Sequence, residues 1–173
     1  MSRAEVLLKW ARHYAAQGLI PHAVGWADNP ALSLKERVKA AKAPCTTFSE
    51  ITFDNWEQRW PKGHNINIAI RTGPESKVVG IDIDTKDGGI ERWNELVAEH
   101  GDWFTTTART GRGGLHKYAL FDGPAAGLKQ ASKVGKGGAG IDIRNINGYL
   151  VAPPRPSQGM EHMYGLRGWG WTA

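Results

Sequence analysis

Two stretches of the chain alternate aliphatic and polar residues with the period of two that is typical of a β-strand. The first covers residues 78–84 and the second residues 139–144. Side chains two positions apart point to the same face of a strand, so Asp82 and Asp84 would project together while Ile81 and Ile83 pack on the other side. Asp142, also flanked by isoleucines, repeats this arrangement in the second stretch. The pattern predicts two strands that each bury one face and present acids on the other.

The remaining hydrophobic periodicity predicts a mixture of helices and strands. Helices are expected at residues 2–17, where Ser2 and Glu5 form a capping-box signature, and at 31–41, 54–60 and 89–100. Further strands are expected at residues 19–24, 66–71, 105–109, 115–121 and 149–152. Residues 122–138 indicate a mobile loop, and residues 153–170 an irregular tail or a last strand with turns. This order of elements predicts an α+β fold.

The length of the chain and its cysteine content restrict the architecture further. A chain of 173 residues is near the common size of one domain. Cys45 is the only cysteine, so neither a disulfide within the chain nor a structural zinc site built from several cysteines is expected, and a reducing cytoplasm is the predicted location. No apolar run approaches the roughly 20 residues that a membrane helix needs, so no membrane partner is expected.

The paired acids have two interpretations. They are either solvated at the end of a strand, or they neutralise a divalent cation with hard oxygen ligands, such as Mg²⁺ or Mn²⁺. Unpaired buried carboxylates are rare, which favours the metal. With Asp142 as a third carboxylate, Asp82 and Asp84 would be able to hold two metal ions.

A glycine-rich turn lies between the acidic strands and suits the binding of phosphate. Glycines at 111, 113 and 114 let backbone N–H groups approach an anion, Arg112 adds a charged donor, and His116 follows at the start of the next strand. The turn does not have the order of a Walker loop. A plain hairpin with a surface arginine is the alternative interpretation. The basic excess of the chain coincides with this region, since eight basic and two acidic residues lie between Phe104 and Arg155.

The order of these motifs resembles the primase-polymerase (prim-pol) domain of the archaeo-eukaryotic primase superfamily. The motifs are Asp82-x-Asp84, then Thr110-x-x-Gly113-Gly114-x-His116, then Ile141-Asp142. The family pattern is also similar to the residues that flank these motifs, at 42–44, 65–73 and 148–154. The similarity therefore extends from about Lys42 to Trp169. The sequence departs from the family pattern at Lys117, where an apolar residue is usual, and at Arg155, where a serine is usual.

The resemblance implies template-directed nucleotidyl transfer by a DNA primase, a DNA polymerase or both, with a two-metal mechanism. Asp82, Asp84 and Asp142 would bind Mg²⁺ or Mn²⁺, and His116 would contact the phosphates of the incoming nucleotide. Further nucleotide contacts are expected from Thr110, Arg112, Gly113, Gly114 and Lys42. Contacts to nucleic acid are expected from Lys117, Arg144 and Tyr149. The partners would be a single-stranded DNA template, a primer, and dNTPs or NTPs.

The resemblance also implies a particular architecture, in which an α/β subdomain packs on a mixed sheet like that of an RNA-recognition motif (RRM), with the active cleft between them. Residues 1–173 would form one catalytic domain, with an N-terminal part at 1–60, a catalytic core at 61–155 and a tail at 156–173. Relatives often carry a helicase after this domain, so we expect the chain to be cut from a longer replication protein of a phage, plasmid or other mobile element, acting in the cytoplasm of a bacterial or archaeal host.

Two other functions remain open at this point. A non-catalytic module that binds single-stranded nucleic acid would explain the basic turn, with Tyr118 stacking on a base, but it would leave the three acids unexplained. Another metal-dependent phosphoryl transferase or a nuclease would use the same acids. A polymerase should need both a divalent cation and nucleoside triphosphates, whereas a nuclease needs no added nucleotide.

Overall fold

The structure is a computed structural model that describes residues 2–25, 31–62, 66–102, 105–134 and 140–153. The helices are α1 (Arg3–Ala16), α2 (Leu34–Ala40), α3 (Gly89–His100) and α4 (Gly123–Ala126). The strands are β1 (Pro21–Gly25), β2 (Ile66–Arg71), β3 (Val78–Ile83), β4 (Thr106–Arg109), β5 (Leu115–Leu120), β6 (Ile141–Arg144) and β7 (Tyr149–Ala152). Apart from Pro153, the segment expected to form the tail lies outside the described residues. The α+β class is confirmed.

The strands form two separate sheets. One has three strands in the order β1-β2-β7, and the other has four strands in the order β4-β5-β3-β6. Every pairing between these strands is antiparallel, so the expectation of a mixed sheet was wrong. The reason is that β3 and β4, which α3 connects and which run parallel, are separated by β5. The pairing of β1 with β2 joins the expected N-terminal part, residues 1–60, to the expected catalytic core, residues 61–155.

Helix α1 covers the three-stranded sheet and begins as the sequence predicts. Ser2 Oγ accepts from the Glu5 N–H at 3.3 Å, and the Glu5 carboxylate accepts from the Ser2 N–H at 2.5 Å, which completes the capping box. Leu7 and Tyr14 on the buried side of α1 enter a core shared with both sheets. The helix ends before Gly18, whose φ of 80° is the left-handed conformation that glycine adopts readily after a helix.

Residues 54–60 were expected to form a short helix, and that prediction was wrong. The segment is a series of hydrogen-bonded turns, with single bonds from the Trp56 N–H to the Thr52 carbonyl and from the Arg59 N–H to the Asn55 carbonyl. The Asn55 side chain accepts from the Thr52 N–H at 2.8 Å and donates to the Glu50 carbonyl at 3.0 Å. Such local bonds to the backbone compete with a regular helix. Trp56 still packs, in a cluster with residues of α1.

The other predicted elements differ from the structure mainly at their ends. Helix α2 begins at residue 34 rather than 31 because Ser33 forms a capping box with Glu36. The segment expected to be a loop at 122–138 contains α4 and an isolated bridge between Ala131 and Ile143, while residues 135–139 lie outside the described part. None of the helices in the described part of the chain has both the length and the apolar character needed to cross a membrane.

The two sheets approach each other closely at Gly80. A Cβ at this position would lie 2.5 Å from Leu150 Cδ1, so only glycine lets β7 pack directly on β3. Val78 and Tyr118 of the four-stranded sheet share one core cluster with Ile68 and Leu150 of the three-stranded sheet. One end of this face of the four-stranded sheet is therefore covered, and the other end, which carries Asp82, opens into a cavity.

Candidate active site

Three of the four residues expected to perform catalysis lie in one row across the four-stranded sheet. Asp82 on β3 is directly opposite His116 on β5 and directly opposite Asp142 on β6. Residues directly opposite each other in an antiparallel pair point to the same face. The alternation read from the sequence therefore puts the acids and the histidine on one face and Ile81 and Ile83 on the other, where they pack beneath α3.

His116 is buried and held between two acceptors. Its Nδ1 lies 3.0 Å from the carbonyl oxygen of Val151 on β7, and its Nε2 lies 3.3 Å from Asp82 Oδ1. Both neighbours are hydrogen-bond acceptors, and the ring can donate to either of them, depending on the tautomer. His116 thus joins the two sheets and lies next to the Asp82 carboxylate.

Asp82 is mostly buried, and its surroundings are arranged to keep it ionised. Burial acts to raise its pKa, but the hydrogen bond from His116 and the charges of His116, Lys42 and Arg144 outweigh burial and hold the pKa of Asp82 below its usual range. Asp82 is therefore an anion at neutral pH, as a ligand for a cation must be.

Asp84 lies just beyond the end of β3, where the backbone is tightly packed. Its N–H donates to the Gly140 carbonyl at 2.7 Å. A Cβ at Gly89 would lie 2.2 Å from the Asp84 carbonyl oxygen, and a Cβ at Gly140 would lie 2.1 Å from the Lys86 carbonyl oxygen. These two glycines allow the close approach that fixes the Asp84 backbone, while the Asp84 side chain remains exposed.

Asp142 is neutralised by its neighbours. Arg144 Nη2 lies 2.5 Å from Asp142 Oδ2, and the Lys133 N–H donates to Asp142 Oδ1 at 2.8 Å. The same guanidinium nitrogen lies 4.0 Å from Asp82 Oδ2. Arg144 therefore balances charge on two strands at once, and the described lining of the cavity does not include Asp142.

The row of acids opens into a cavity of about 530 Å³ between the two sheets. One part of the lining, which we call the carboxylate wall, consists of Asp82, Asp84 and His116. Another part, which we call the basic wall, consists of Arg37 and Lys42, from α2 and the segment after it, and Tyr149 of β7. The volume is within the range of pockets that hold a molecule of the size of a nucleotide.

The basic wall is tied to the three-stranded sheet by several bonds. The Tyr149 hydroxyl donates to the Lys42 carbonyl at 2.6 Å, and partial burial raises the pKa of that hydroxyl. The Gly25 N–H donates to the Ala43 carbonyl at 2.8 Å, next to β1. Arg37 Nε donates to the Leu32 carbonyl at 2.8 Å, which orients its guanidinium. The side chains of this wall are therefore held by the backbone around them.

The turn between β4 and β5 contributes only part of what the sequence predicts. Thr110 and Arg112 line the cavity, whereas Gly113 and Gly114 do not. The Gly113 N–H donates to the Thr110 carbonyl at 3.0 Å, and a Cβ at Gly114 would lie 2.5 Å from the Ile83 carbonyl oxygen. These glycines form the turn and let it pack on the end of β3, so the structure does not present them as a cradle for phosphate.

Lys117 does not lie at the site. It is opposite Ile81 in the β3–β5 pairing and so belongs to the face beneath α3. Its side chain is buried, with Nζ 3.7 Å from Asp102 Oδ1 and 5.1 Å from the centre of the Trp93 ring. A strand alternates its faces, so the residue after His116 points away from the cavity, and Lys117 is not among the residues that line it. Its expected contact to nucleic acid stays a prediction.

The sequence analysis missed Arg37 and Gln130, which line the cavity together with Asn147. Arg37 lies 45 positions before Asp82 on a short helix, and nothing in its local sequence marks it as part of a site. Asn147 has a φ of 63°, and its Asn-Gly pair is a turn signal that indicates structure rather than function. Arg144, Lys42 and Tyr149 do line the cavity, as expected of site residues.

The side chains at the cavity can be compared with the ligands that a divalent cation needs. Asp82 and Asp84 offer carboxylate oxygens to the same cavity, which suits Mg²⁺ or Mn²⁺. The Arg144 guanidinium shows that positive charge is accommodated between Asp82 and Asp142. Over the described ranges, however, no group of three or more His, Cys, Asp or Glu side chains is arranged to hold a metal ion. The residue types fit the cation, while the Asp142 carboxylate is directed toward Arg144 and Lys133.

Comparison with known proteins identifies the family of the chain. A search of the curated proteins finds no match to the chain. The family described as "Prim-Pol: Bifunctional DNA primase/polymerase, N-terminal" matches residues 11–165, a span that includes both walls of the cavity and all of the sequence motifs. Because this match covers most of the 173 residues, the chain belongs to the bifunctional DNA primase/polymerase family.

Proposed function

We propose that the protein catalyses template-directed nucleotidyl transfer, as a DNA primase, a DNA polymerase or both, at the cavity between the two walls. Membership of the family supports primase and polymerase activity in general. The single observation that carries the proposal further is the row formed by Asp82, His116 and Asp142 on one face of the four-stranded sheet, because Asp82 and His116 of this row line the cavity.

In this proposal two divalent cations, Mg²⁺ or Mn²⁺, would be held by Asp82, Asp84 and Asp142. When bound, such ions lower the pKa of an attacking hydroxyl and stabilise charge on the leaving pyrophosphate. The chain itself supplies the rest of the site. We propose that Arg112 and Thr110, which line the cavity, donate to the phosphates of the nucleotide, that His116 contacts these phosphates, and that Arg37 and Lys42 add positive charge to the same cavity.

The arrangement of the four-stranded sheet supports the proposed RRM-like subdomain. Its elements follow the order β3-α3-β4-β5-α4-β6, with strands in the spatial order β4-β5-β3-β6. A βαββαβ order is that of ferredoxin-like units. We infer that this sheet is the RRM-like part and that the three-stranded sheet with α1 and α2 is the other part. From the family resemblance alone we also propose that the protein replicates a phage, plasmid or other mobile element in the cytoplasm, and that a helicase domain accompanies it in a longer protein.

Extension of a labelled primer on a single-stranded template tests the proposed function. The wild type is compared with Asp82→Asn/Asp84→Asn and with the control Asp54→Asn, an exposed carboxylate outside the cavity. We expect extension that requires Mg²⁺ or Mn²⁺ and nucleoside triphosphates, that is lost in the double variant, and that is retained in the control.

Other outcomes would contradict the proposal in different ways. Cleavage of the template without added nucleotide would indicate a nuclease. Binding of the template that needs no metal, without extension or cleavage by any variant, would indicate a binding module. Extension by the double variant at the wild-type rate would show that the carboxylate wall is not the catalytic centre.

A further inference from the structure

Arg144 has an unusual position between two carboxylates on neighbouring strands. Its Nη2 lies 2.5 Å from Asp142 Oδ2 and 4.0 Å from Asp82 Oδ2, and the two aspartates are directly opposite each other in the β3–β6 pairing. The guanidinium is half-buried, and its side chain also lines the cavity. A permanent positive charge therefore lies at the place where the row of acids meets the cavity.

A divalent cation and this guanidinium require the same oxygen atoms. A carboxylate oxygen that accepts a charged hydrogen bond at 2.5 Å is already neutralised, and two positive charges beside it would repel each other. The other Asp142 oxygen accepts from the Lys133 N–H at 2.8 Å. For Asp142 to bind a cation, the guanidinium must therefore leave Oδ2.

Once it leaves, the guanidinium has a second role available within reach. Arg144 already lines the same cavity as Lys42 and Arg112. Its planar group offers five N–H donors in a geometry that matches phosphate. A nucleoside triphosphate in the cavity would bring phosphate oxygens to the place where those donors become free.

We propose that Arg144 is an exchangeable counter-charge, which a divalent cation displaces from Asp142 and which then binds a phosphate of the nucleotide. This inference rests on the proposed function. It makes cation binding and nucleotide binding cooperative, because the first event releases the donor that the second one uses.

We expect Arg144→Gln to change the affinities for the cation and for the nucleotide in opposite directions. Binding of the cation alone should become tighter, because no guanidinium competes for Asp142. Binding of the nucleotide in the presence of the cation should become weaker, because a phosphate donor is lost. If Arg144 only held β6 in place, its removal would weaken both.

The test measures the affinity of the full chain for Mn²⁺ alone, by calorimetry or by the electron paramagnetic resonance signal of free Mn²⁺. Three variants each remove one positive charge. Arg144→Gln removes the bridge, Lys42→Gln removes a charge that acts on Asp82 without forming an ion pair to Asp142, and Arg12→Gln breaks an exposed pair with Glu57 on α1. We expect Mn²⁺ binding about fivefold to tenfold tighter for Arg144→Gln, about twofold tighter or less for Lys42→Gln, and unchanged for Arg12→Gln.

Two additional variants keep the test decisive. Arg144→Lys retains the charge and protects the fold, and it should bind Mn²⁺ with nearly the affinity of the wild type. Asp142→Asn added to Arg144→Gln should abolish the gain, since the carboxylate that was released is gone. In the presence of Mn²⁺, the nucleotide dissociation constant of Arg144→Gln should rise on the order of tenfold.

The ways in which the inference fails are separable from failure of the proposed function. Equal or weaker Mn²⁺ binding by Arg144→Gln, with clear binding by the wild type, would overturn the exchange and leave the catalytic proposal standing. An equal gain for Lys42→Gln would also overturn it, since the effect would then be general electrostatics. Absence of Mn²⁺ binding in every protein would overturn both.

Discussion

The two walls of the cavity differ in charge and also in how they are built. The carboxylate wall lies on and beside β3, a central strand paired on both sides, and its members Asp82 and His116 are partners in register. The basic wall comes from a short helix, the segment after it and an edge strand, joined by the bond from Tyr149 to the Lys42 carbonyl. One wall is part of a sheet, and the other is assembled from segments far apart in the chain.

In the proposed function, this difference predicts separate roles for the two walls, one in positioning the reacting atoms and one in binding phosphate. A group that positions a reacting atom must be rigid, and a central strand with neighbours on both sides provides that rigidity. Groups that recognise phosphate need charge and reach, which long basic side chains on α2 and the following segment supply. We therefore expect changes in the carboxylate wall to affect turnover, and changes in the basic wall to affect nucleotide affinity or stability.

The largest effect is expected from breaking the carboxylate wall at His116. Replacing it by Gln retains a donor for the Val151 carbonyl but removes the imidazole ring that lies beside Asp82. Turnover in primer extension should fall on the order of 10²-fold to 10³-fold, because charge on the phosphates is less well stabilised. His100→Gln, an exposed change at the end of α3, is the control. Turnover within about twofold of wild type would exclude the role assigned to His116.

The second effect is a pH dependence of protein stability that involves His22. The His22 ring packs edge-on against Tyr149 of the basic wall, and the two ring centres lie 5.0 Å apart. Burial, with the charge of Arg71, lowers the pKa of His22 to about 4. The unfolded chain takes up this proton near pH 6.5, so the stability linked to His22 is complete above that pH and is lost as the pH falls toward 4.

Between pH 7 and pH 5 this loss should amount to about 2 kcal/mol in the free energy of unfolding, measured with urea. His22→Gln should remove that part of the pH dependence, whereas His100→Gln, which changes an exposed ring, should keep it. The same slope in the wild type and in His22→Gln would show that His22 is not the group responsible.

A smaller effect is expected from breaking the basic wall at Arg37. Arg37→Gln should raise the KM for nucleotide about tenfold and change kcat by about threefold at most, since a charged donor to phosphate is lost far from the reacting atoms. Lys39→Gln is the matched control, because it removes a positive charge from the same helix at a position that does not line the cavity. A fall in kcat with an unchanged KM would place Arg37 in catalysis instead.

The smallest effect is expected from loosening the basic wall at Tyr149. Tyr149→Phe removes the hydroxyl that donates to the Lys42 carbonyl at 2.6 Å and keeps the ring beside His22. The free energy of unfolding should fall by about 0.5–1 kcal/mol, the usual contribution of one hydrogen bond. If Tyr149→Phe unfolds at the same temperature as the wild type, a hydrogen bond from water to the Lys42 carbonyl compensates fully for the lost bond.

Much of the carboxylate wall could be predicted because strand alternation is a local property. Asp82 and Asp142 each lie between two isoleucines, so their face follows from the backbone geometry of their own strands. By the same rule Lys117, which directly follows His116, faces the other way. The helix expected at 54–60 failed for another local reason, since the bonds of the Asn55 side chain to the backbone outweigh the apolar pattern.

The sequence by itself determined the α+β class, the strands that carry Asp82 and Asp142, and the motifs by which the family is recognised. Only the tertiary structure decided that Arg37 and Lys42 line one cavity with Asp82 and Asp84, that Gly113 and Gly114 lie in a turn outside the described lining of that cavity, and that Arg144 lies between two carboxylates. The physical reason is the range of the interactions. Periodicity is set by neighbouring residues, whereas charged side chains far apart in the sequence interact only when the segments that carry them pack together.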